Sequence, residues 1–248
     1  MFAAQRSPKG YTPPMVATPR HASNKLLNLL REDAYRRVEP KLRPAQLRAR
    51  QILYKPNQAI REVYFPEGAV ICMMTVMANG DTVEAATVGL EGASWISASI
   101  GAASMPCETI VAIAGDALAL DVEALDLEMS ENEHFRAVLT QYSHALLIHS
   151  LRMTACSALH SLPQRCARWI LTTLDRVPLD RFSVTHEFLA SLLGASRPSV
   201  SAVLEDYQRH GILDITRGQV SVVSRDRLLA VACECYAIIK TNYDQVGR

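Results

Sequence analysis

Leucines at positions 26, 27, 29 and 30 form the first apolar run, and polar residues follow through Arg37. That is a helical rhythm beginning near Asn24. From about Ile60 to Leu120 the rhythm shortens. "REVYFPEGAVICMMTV" reads as strand-like, with a turn at Pro66–Gly68, and "ANGDTVEAATVG" contains Asn79-Gly80. That dipeptide is favoured where a two-residue hairpin turn needs positive φ at both positions. Val83, Ala85 and Thr87 then face oppositely to Glu84, Ala86 and Val88, "GLEG" marks another turn, and "ETIVAIAG" and "DALALD" are two more short strands. Many short strands between glycine turns predict a small β-barrel or β-roll.

The pattern changes again before Leu159. From about Val122 or Glu131 onward there is neither glycine nor proline, and Phe135, Leu139, Tyr142, Leu146, His149, Met153 and Cys156 alternate spacings of four and three. That is a heptad seam on a long helix. The opposite side carries Val138, Ala145, Leu147 and Ile148, and a helix apolar on two faces must cover both. The preferred reading is a dimer helix with Leu139, Tyr142, Leu146, His149 and Met153 at the interface. The alternative is one face packed on its own domain.

A new helix starts after Pro163, with Ala167, Ile170, Leu171 and Leu174 on one side, and "PLDRFS" reads as a loop. Thr185 is placed to cap "HEFLASLL". Gly194 is suited to the left-handed conformation that ends a helix, and Ser196 to capping "RPSVSAVLEDYQRHG". Pro198 falls in the first turn, where its missing N–H costs nothing. Val200, Val203, Leu204 and Tyr207 form the inward stripe. The first turn of the second helix therefore points Arg197, Ser199, Ser201 and Ala202 outward. An arginine fork fits the O6/N7 edge of guanine, and hydroxyls with free helix-start N–H groups suit phosphates. "GILDITRGQVSVVS" predicts a hairpin around Arg217-Gly218, which places Arg217 at the tip of a wing. A corner followed by such a hairpin is a winged helix-turn-helix. Alone, the corner also fits an all-α domain in which Arg197 is merely solvated.

Composition narrows this picture only a little. The chain has 248 residues and a formal net charge of +1. Residues 159–248 hold 11 Lys/Arg against 9 Asp/Glu, so any nucleic-acid site is a local patch and not a polycation. The first acidic residue is Glu32, and the stretch before Asn24 holds four prolines, the composition of a mobile, mildly basic tail. No signal-like or membrane-spanning apolar run occurs. The six cysteines stand at 72, 107, 156, 166, 233 and 235, without the two-residue gap of a zinc knuckle. They read as idle or buried thiols of a reducing cytoplasm. A redox role for Cys233 with Cys235, or for Cys156 and Cys166, is the alternative, and no metal site is expected. No nucleotide loop, metal-spaced histidines or nucleophile elbow occurs, so an enzyme is not expected.

The stretches "LLGASRPSVSAVLEDYQRHGIL", "RGQVSVVSRDRL" and "ACECY" resemble the DNA-binding end of the Crp/Fnr transcription regulators. "VYFPEGAV", "NGDTVEAATVGLEG" and "DALAL" resemble their cyclic-nucleotide-binding-like β-roll. The resemblance implies an α+β chain: a disordered tail at 1–23, a sensory β-roll (a jelly roll) at 24–128, a dimerisation helix at 129–160 and a winged helix-turn-helix domain at 161–248. It implies a cytoplasmic homodimer that binds double-stranded DNA and works with RNA polymerase. By position, Arg197 matches the base-reading arginine, Ser196 and Ser199 match phosphate-contacting hydroxyls, and His186 matches a backbone contact. The second base-reading position falls on Ser201 or Ala202. Relatives that bind cyclic AMP carry a glutamate where Ala93 stands and an arginine pair where Cys107-Glu108 stands. A carboxylate beside a cyclic phosphate repels it, so binding in the usual mode is not expected. No cofactor is expected either, although His144, His149 or a cysteine leaves haem open, and the effector, small molecule or redox, is undetermined. The competing function is a ligand-binding signalling module whose winged helix contacts protein.

Overall fold

Asn24 anchors the first helix to the β-roll. Its side-chain oxygen accepts from the Leu27 N–H, and its amide donates to the carbonyls of Pro66 and Gly92, each at 2.9 Å. The computed structural model describes residues 22–94 and 104–247. The expected 1–23 tail therefore lies outside the described residues except at its end. There Ala22 is buried and the Ser23 N–H donates to Glu67. Two short helices follow, α1 (Lys25–Asn28) and α2 (Glu32–Val38).

Among the described residues seven strands build the β-roll: β1 (Arg43–Leu47), β2 (Ile52–Tyr54), β3 (Glu62–Pro66), β4 (Val70–Val76), β5 (Thr82–Val88), β6 (Glu108–Ile113) and β7 (Gly115–Asp121). They pair antiparallel in two sheets, ordered β1-β7-β3 and β2-β6-β4-β5. The β4–β5 hairpin forms where Asn79-Gly80 predicts one, with a different turn. Among the described residues only Gly80 of that pair has positive φ, 88°. The Met77 N–H donates to Asp81 and the Gly80 N–H to Met77. The result is a longer loop with a left-handed glycine rather than a two-residue turn.

Strand β4 is apolar on both faces because both are covered. Ile71 and Met73 pack with Ala86, Val88 and Val111 between the sheets. Val70, Cys72 and Met74 join Ile110 and Ala112 in the core of the C-terminal domain. Alternation fades where a strand is sandwiched in this way.

Helix α3 (Val122–Glu131) is separated from the long helix α4 (Glu133–Leu159) by Asn132, whose side chain caps α4 by accepting from the Phe135 N–H. The heptad seam is real but has another occupant. Tyr142 and His149 are fully buried within the single chain, and Leu139 and Met153 nearly so. Tyr142 donates to the Ala93 carbonyl, and His149 Nδ1 hydrogen-bonds the Tyr243 hydroxyl at 3.0 Å. Leu146 lies partly buried against the β-roll core. The expected assignment of these five residues to a dimer interface is therefore corrected. Periodicity shows that a face is covered, not by what, and here the β-roll and the last helix cover it. The outward face instead exposes Leu147 (57%), Leu151 (60%) and Leu159 (80%).

Helix α5 (Leu162–Leu174) begins with a capping box between Ser161 and Gln164, and every residue from Cys166 to Leu174 is buried. It lies between the β-roll and a domain made of β8 (Arg181–Ser183), α6 (His186–Leu193), α7 (Arg197–Arg209), β9 (Leu213–Thr216), β10 (Gln219–Val222), α8 (Arg225–Val231) and α9 (Cys235–Asp244). The stretch read as a loop at "PLDRFS" contains β8, the third strand of a wing sheet ordered β8-β10-β9. Two β-roll carboxylates, Glu84 buried and Glu91 partly buried, grip α5 and the residues just after it. Glu84 accepts from the Trp169 indole N–H at 2.7 Å, and Glu91 pairs with Arg176 at 2.6 Å. A Cβ on Gly89 would collide with the Arg176 side chain, and one on Gly92 with the Tyr142 ring. Both glycines are therefore required by close approach.

Candidate nucleic-acid interface

Thr185 caps α6 by accepting from the Phe188 N–H, and Gly194 ends the helix at φ 58°, ψ 45°. Ser196 then caps α7 by accepting from the Ser199 N–H, with Pro198 inside the first turn. The corner read from "LLGASRPSV" thus forms through the residues that predict it. Val200, Leu204 and Tyr207 are buried, and Val203 is partly so. Ser196, Arg197, Ser199 and Ala202 are exposed at the start of α7. Arg197 keeps 68% of its side chain in solvent and meets only Glu187, at 3.8 Å. An exposed pair at that distance holds the guanidinium weakly.

Ser201 and His186 are half-buried and hydrogen-bonded to each other, His186 Nδ1 to Ser201 Oγ at 2.8 Å. The bond ties the start of α6 to α7. The sequence names both residues but not their contact, because a spacing of fifteen residues across a corner carries no periodic signal. Ser196 and Ser199 also hydrogen-bond through their hydroxyls at 2.8 Å. At the wing tip Arg217 and Gly218 both take positive φ, 50° and 78°, and Thr216 pairs with Gln219 across them. That is the geometry of a two-residue hairpin turn, and it holds Arg217 exposed. All seven sequence-named residues therefore lie on α6, α7 and the wing, Arg217 apart from the other six.

The β-roll borders this site more closely than the sequence indicates. Gly80, Asp81 and Thr82 of the β4–β5 hairpin line a cleft of about 530 Å³ together with Glu187, Ser191, Gly194, Ser196 and Arg197. Val83 stands 3.3 Å from where a Gly194 side chain would begin. Arg50 lies 3.9 Å over the Phe188 ring of α6. Asp81 and Glu187 thus put two carboxylates in the cleft that holds Arg197.

Part of the region aligned with the nucleotide pocket, residues 95–103, lies outside the described residues. Ala93 is buried, and its carbonyl accepts from Tyr142 of the long helix. Ser94 bonds the Tyr54 hydroxyl at 2.6 Å. Cys107 and Glu108 are half-buried at the start of β6, and burial raises the Cys107 thiol above its usual range.

The family model of the Crp-like helix-turn-helix domain matches residues 164–231. No curated protein sequence matches the chain. Among solved structures, a Crp/Fnr-family transcriptional regulator from Eubacterium rectale is 16% identical, with a TM-score of 0.60, and the match covers 84% of this chain and 98% of that one. FixK2 from Bradyrhizobium japonicum is 15% identical, with a TM-score of 0.63, covering 77% and 98%. A CRP-family regulator from Thermus thermophilus is 18% identical, with a TM-score of 0.61, covering 75% and 95%. No helix among the described residues is long and apolar enough to cross a membrane. Residues 164–231 thus form a Crp-like helix-turn-helix domain, on a chain with the fold of the solved Crp/Fnr transcriptional regulators.

Proposed function

We propose that the chain is a cytoplasmic, non-enzymatic transcription regulator that binds double-stranded DNA as a homodimer, with α7 in the major groove. The observation that carries this reading is the capped first turn of α7. Arg197 stands exposed there, held only weakly by Glu187, beside Ser196, Ser199 and Ala202, with Arg217 on the wing as a second cationic contact. Arg197 reads a guanine edge. Ser196, Ser199 and His186 hold phosphates, and Ser201 acts chiefly by orienting His186. The small Ala202 lets the helix approach the groove floor.

The dimer forms along the outward stripe of α4, where Thr140, His144, Leu147, Leu151 and Thr154 recur at spacings of four and three and are exposed. Two copies then read half-sites about 10–10.5 bp apart, or a multiple of that. RNA polymerase is the expected protein partner, by likeness of fold. Cyclic AMP is not the effector in the usual mode. Ala93 and Cys107-Glu108 lack the anchoring chemistry, and the Ala93 carbonyl is engaged by the Tyr142 hydroxyl.

Selection of bound sequences from random duplex DNA tests the reading. A two-fold motif is expected, and Arg197→Ala should lose about 5–150-fold of the preference for it, equivalent to about 1–3 kcal/mol, with little change on random DNA. Equal loss on both would remove the base-reading role. Absence of any sequence preference would favour a winged helix that contacts protein.

A further inference from the structure

Three cysteines and a histidine converge where the long helix meets the last one. Cys156 and His160 stand one helical turn apart at the end of α4, and Cys233 and Cys235 flank Glu234 at the start of α9. Their ligand atoms all lie within 4.8 Å of one another. Cys156 Sγ is 3.6 Å from Cys233 Sγ, and Cys235 Sγ is 3.7 Å from His160 Nδ1. The thiols are free, and a disulfide would need roughly 2.05 Å. A tetrahedral ion with zinc–sulfur bonds of about 2.3 Å and zinc–nitrogen bonds of about 2.05 Å spaces its ligands at about 3.8 Å and about 3.6 Å respectively. The two observed distances match that tetrahedron. A polynuclear iron–sulfur cluster would interpose its own atoms and hold the ligands further apart.

Two independent features point to a cation. His160 turns Nδ1 towards the thiols and Nε2 towards the Glu234 carboxylate, 3.2 Å away. A carboxylate behind the second ring nitrogen is the arrangement that orients a metal-bound histidine. Arg168 is fully buried, and its Nε, Nη1 and Nη2 find no hydrogen-bond partner among the described residues. The hydrogen bond with Cys233 favours the Cys156 thiolate most, and the charge of Arg168 acts in the same direction. Three thiolates and one divalent cation sum to one negative charge, the counter-charge this buried guanidinium lacks. The apolar lining of Met153, Ile239 and Tyr243 closes the remaining sides. Sulfur-rich, closed, four-ligand sites select zinc over calcium or magnesium.

We propose that Cys156, His160, Cys233 and Cys235 bind one Zn²⁺ ion in a closed tetrahedral site that fastens the start of α9 to the end of α4. This departs from the expectation of no metal site. The two ligand pairs are 77 residues apart between Cys156 and Cys233, and neither has a finger-like spacing. The site sits at the Ser161 junction, so a bound ion fixes the angle at which the helix-turn-helix domain leaves the long helix. The site itself does not depend on the DNA reading.

Titration of the reduced full chain with Co²⁺ under anaerobic conditions tests the proposal. A near-ultraviolet thiolate-to-cobalt band and visible d–d bands of tetrahedral intensity should saturate at one equivalent and vanish when Zn²⁺ is added. Cys235→Ser should abolish or blue-shift them, and Cys107→Ser should leave them unchanged. Glu234→Gln changes an exposed residue outside the ligand set and should weaken Co²⁺ binding by about 10-fold, the lower end for a supporting carboxylate. It keeps the test decisive if the cysteine variant misfolds. Absence of the bands in the reduced chain, bands unchanged in Cys235→Ser, or unaltered affinity in Glu234→Gln would each overturn the assignment.

Discussion

Removing one indole nitrogen should loosen the whole molecule. Trp169 in α5 donates at 2.7 Å to Glu84 in β5, whose carboxylate is 2% exposed and also accepts from Thr87 at 2.6 Å. Trp169→Phe keeps a ring that can hold the edge contact with Phe182, now 5.7 Å between centroids, but leaves the carboxylate one donor short. A hydrogen bond to a charged acceptor contributes about 1.5–3 kcal/mol, and the lost ring volume adds about 1 kcal/mol. With a urea dependence of about 3 kcal/mol per molar, the unfolding midpoint should fall by about 1 M. Glu84→Gln is the informative partner. Its carbonyl can keep the indole, and its amide can donate to the Thr87 hydroxyl, which rotates to accept. The midpoint should then fall by no more than about 0.3 M. Urea unfolding followed by circular dichroism gives both values. The reasoning fails if Trp169→Phe shifts the midpoint by less than about 0.3 M. It fails equally if Glu84→Gln costs as much as Trp169→Phe, because the carboxylate's charge, and not the indole bond, would then hold the two halves.

Leu151→Glu should convert a dimer to a monomer by sedimentation velocity while the monomer keeps its fold by circular dichroism, because Leu151 is 60% exposed in the single chain. An unchanged dimer would move the interface elsewhere. Arg217→Asn relieves a left-handed arginine and should be neutral or stabilising by up to about 1 kcal/mol. The same change should reduce the salt dependence of DNA binding by about one phosphate contact, read from a log K against log salt plot. Glu187→Gln frees Arg197 from its 3.8 Å partner and removes a negative charge from the groove-facing side, so low-salt affinity should rise about 2–5-fold in a gel shift. His149 is held neutral, its pKa pushed well below the usual 6.5 by burial first and then by the charges of Arg176 and Arg168. The unfolded chain binds that proton near 6.5, so stability should fall as pH drops below about 6.5, by up to about 1.4 kcal/mol per pH unit. His149→Gln can keep a bond to Tyr243 and should flatten that part of the stability–pH curve.

The helix-turn-helix corner and the wing were legible because their signals are local. Gly194, Ser196, Pro198 and Arg217-Gly218 each act within a few residues of where they stand. Strands β3 to β7 were legible for the same reason, through their turns, whereas β1 and β2, which precede Ile60, carry no such signal and were missed. Long-range partners were not. The heptad seam from Phe135 to Cys156 marks a buried face, yet nothing in its spacing distinguishes Tyr243 of the last helix from a second subunit. The double-sided burial of β4 was equally hidden, since "VICMM" reads the same whether one sheet or two layers cover it. The cysteines at 156 and 233 meet only because α9 folds back along α4. The bond between His186 and Ser201 also needs coordinates, because it depends on the angle of the corner.

The outer face of β4 has a consequence for modularity. Val70, Cys72 and Met74 are sealed by Trp169, Ile170 and their neighbours. Cutting the chain near Ser161 would uncover an oily strip on the β-roll fragment and strip the helix-turn-helix fragment of part of its floor. Neither piece would be a self-sufficient globule, and grafting the helix-turn-helix domain onto a foreign β-roll would require a sheet that offers the same strip. Trading such units as interchangeable cassettes is therefore closed to this chain unless the seam is redesigned with them.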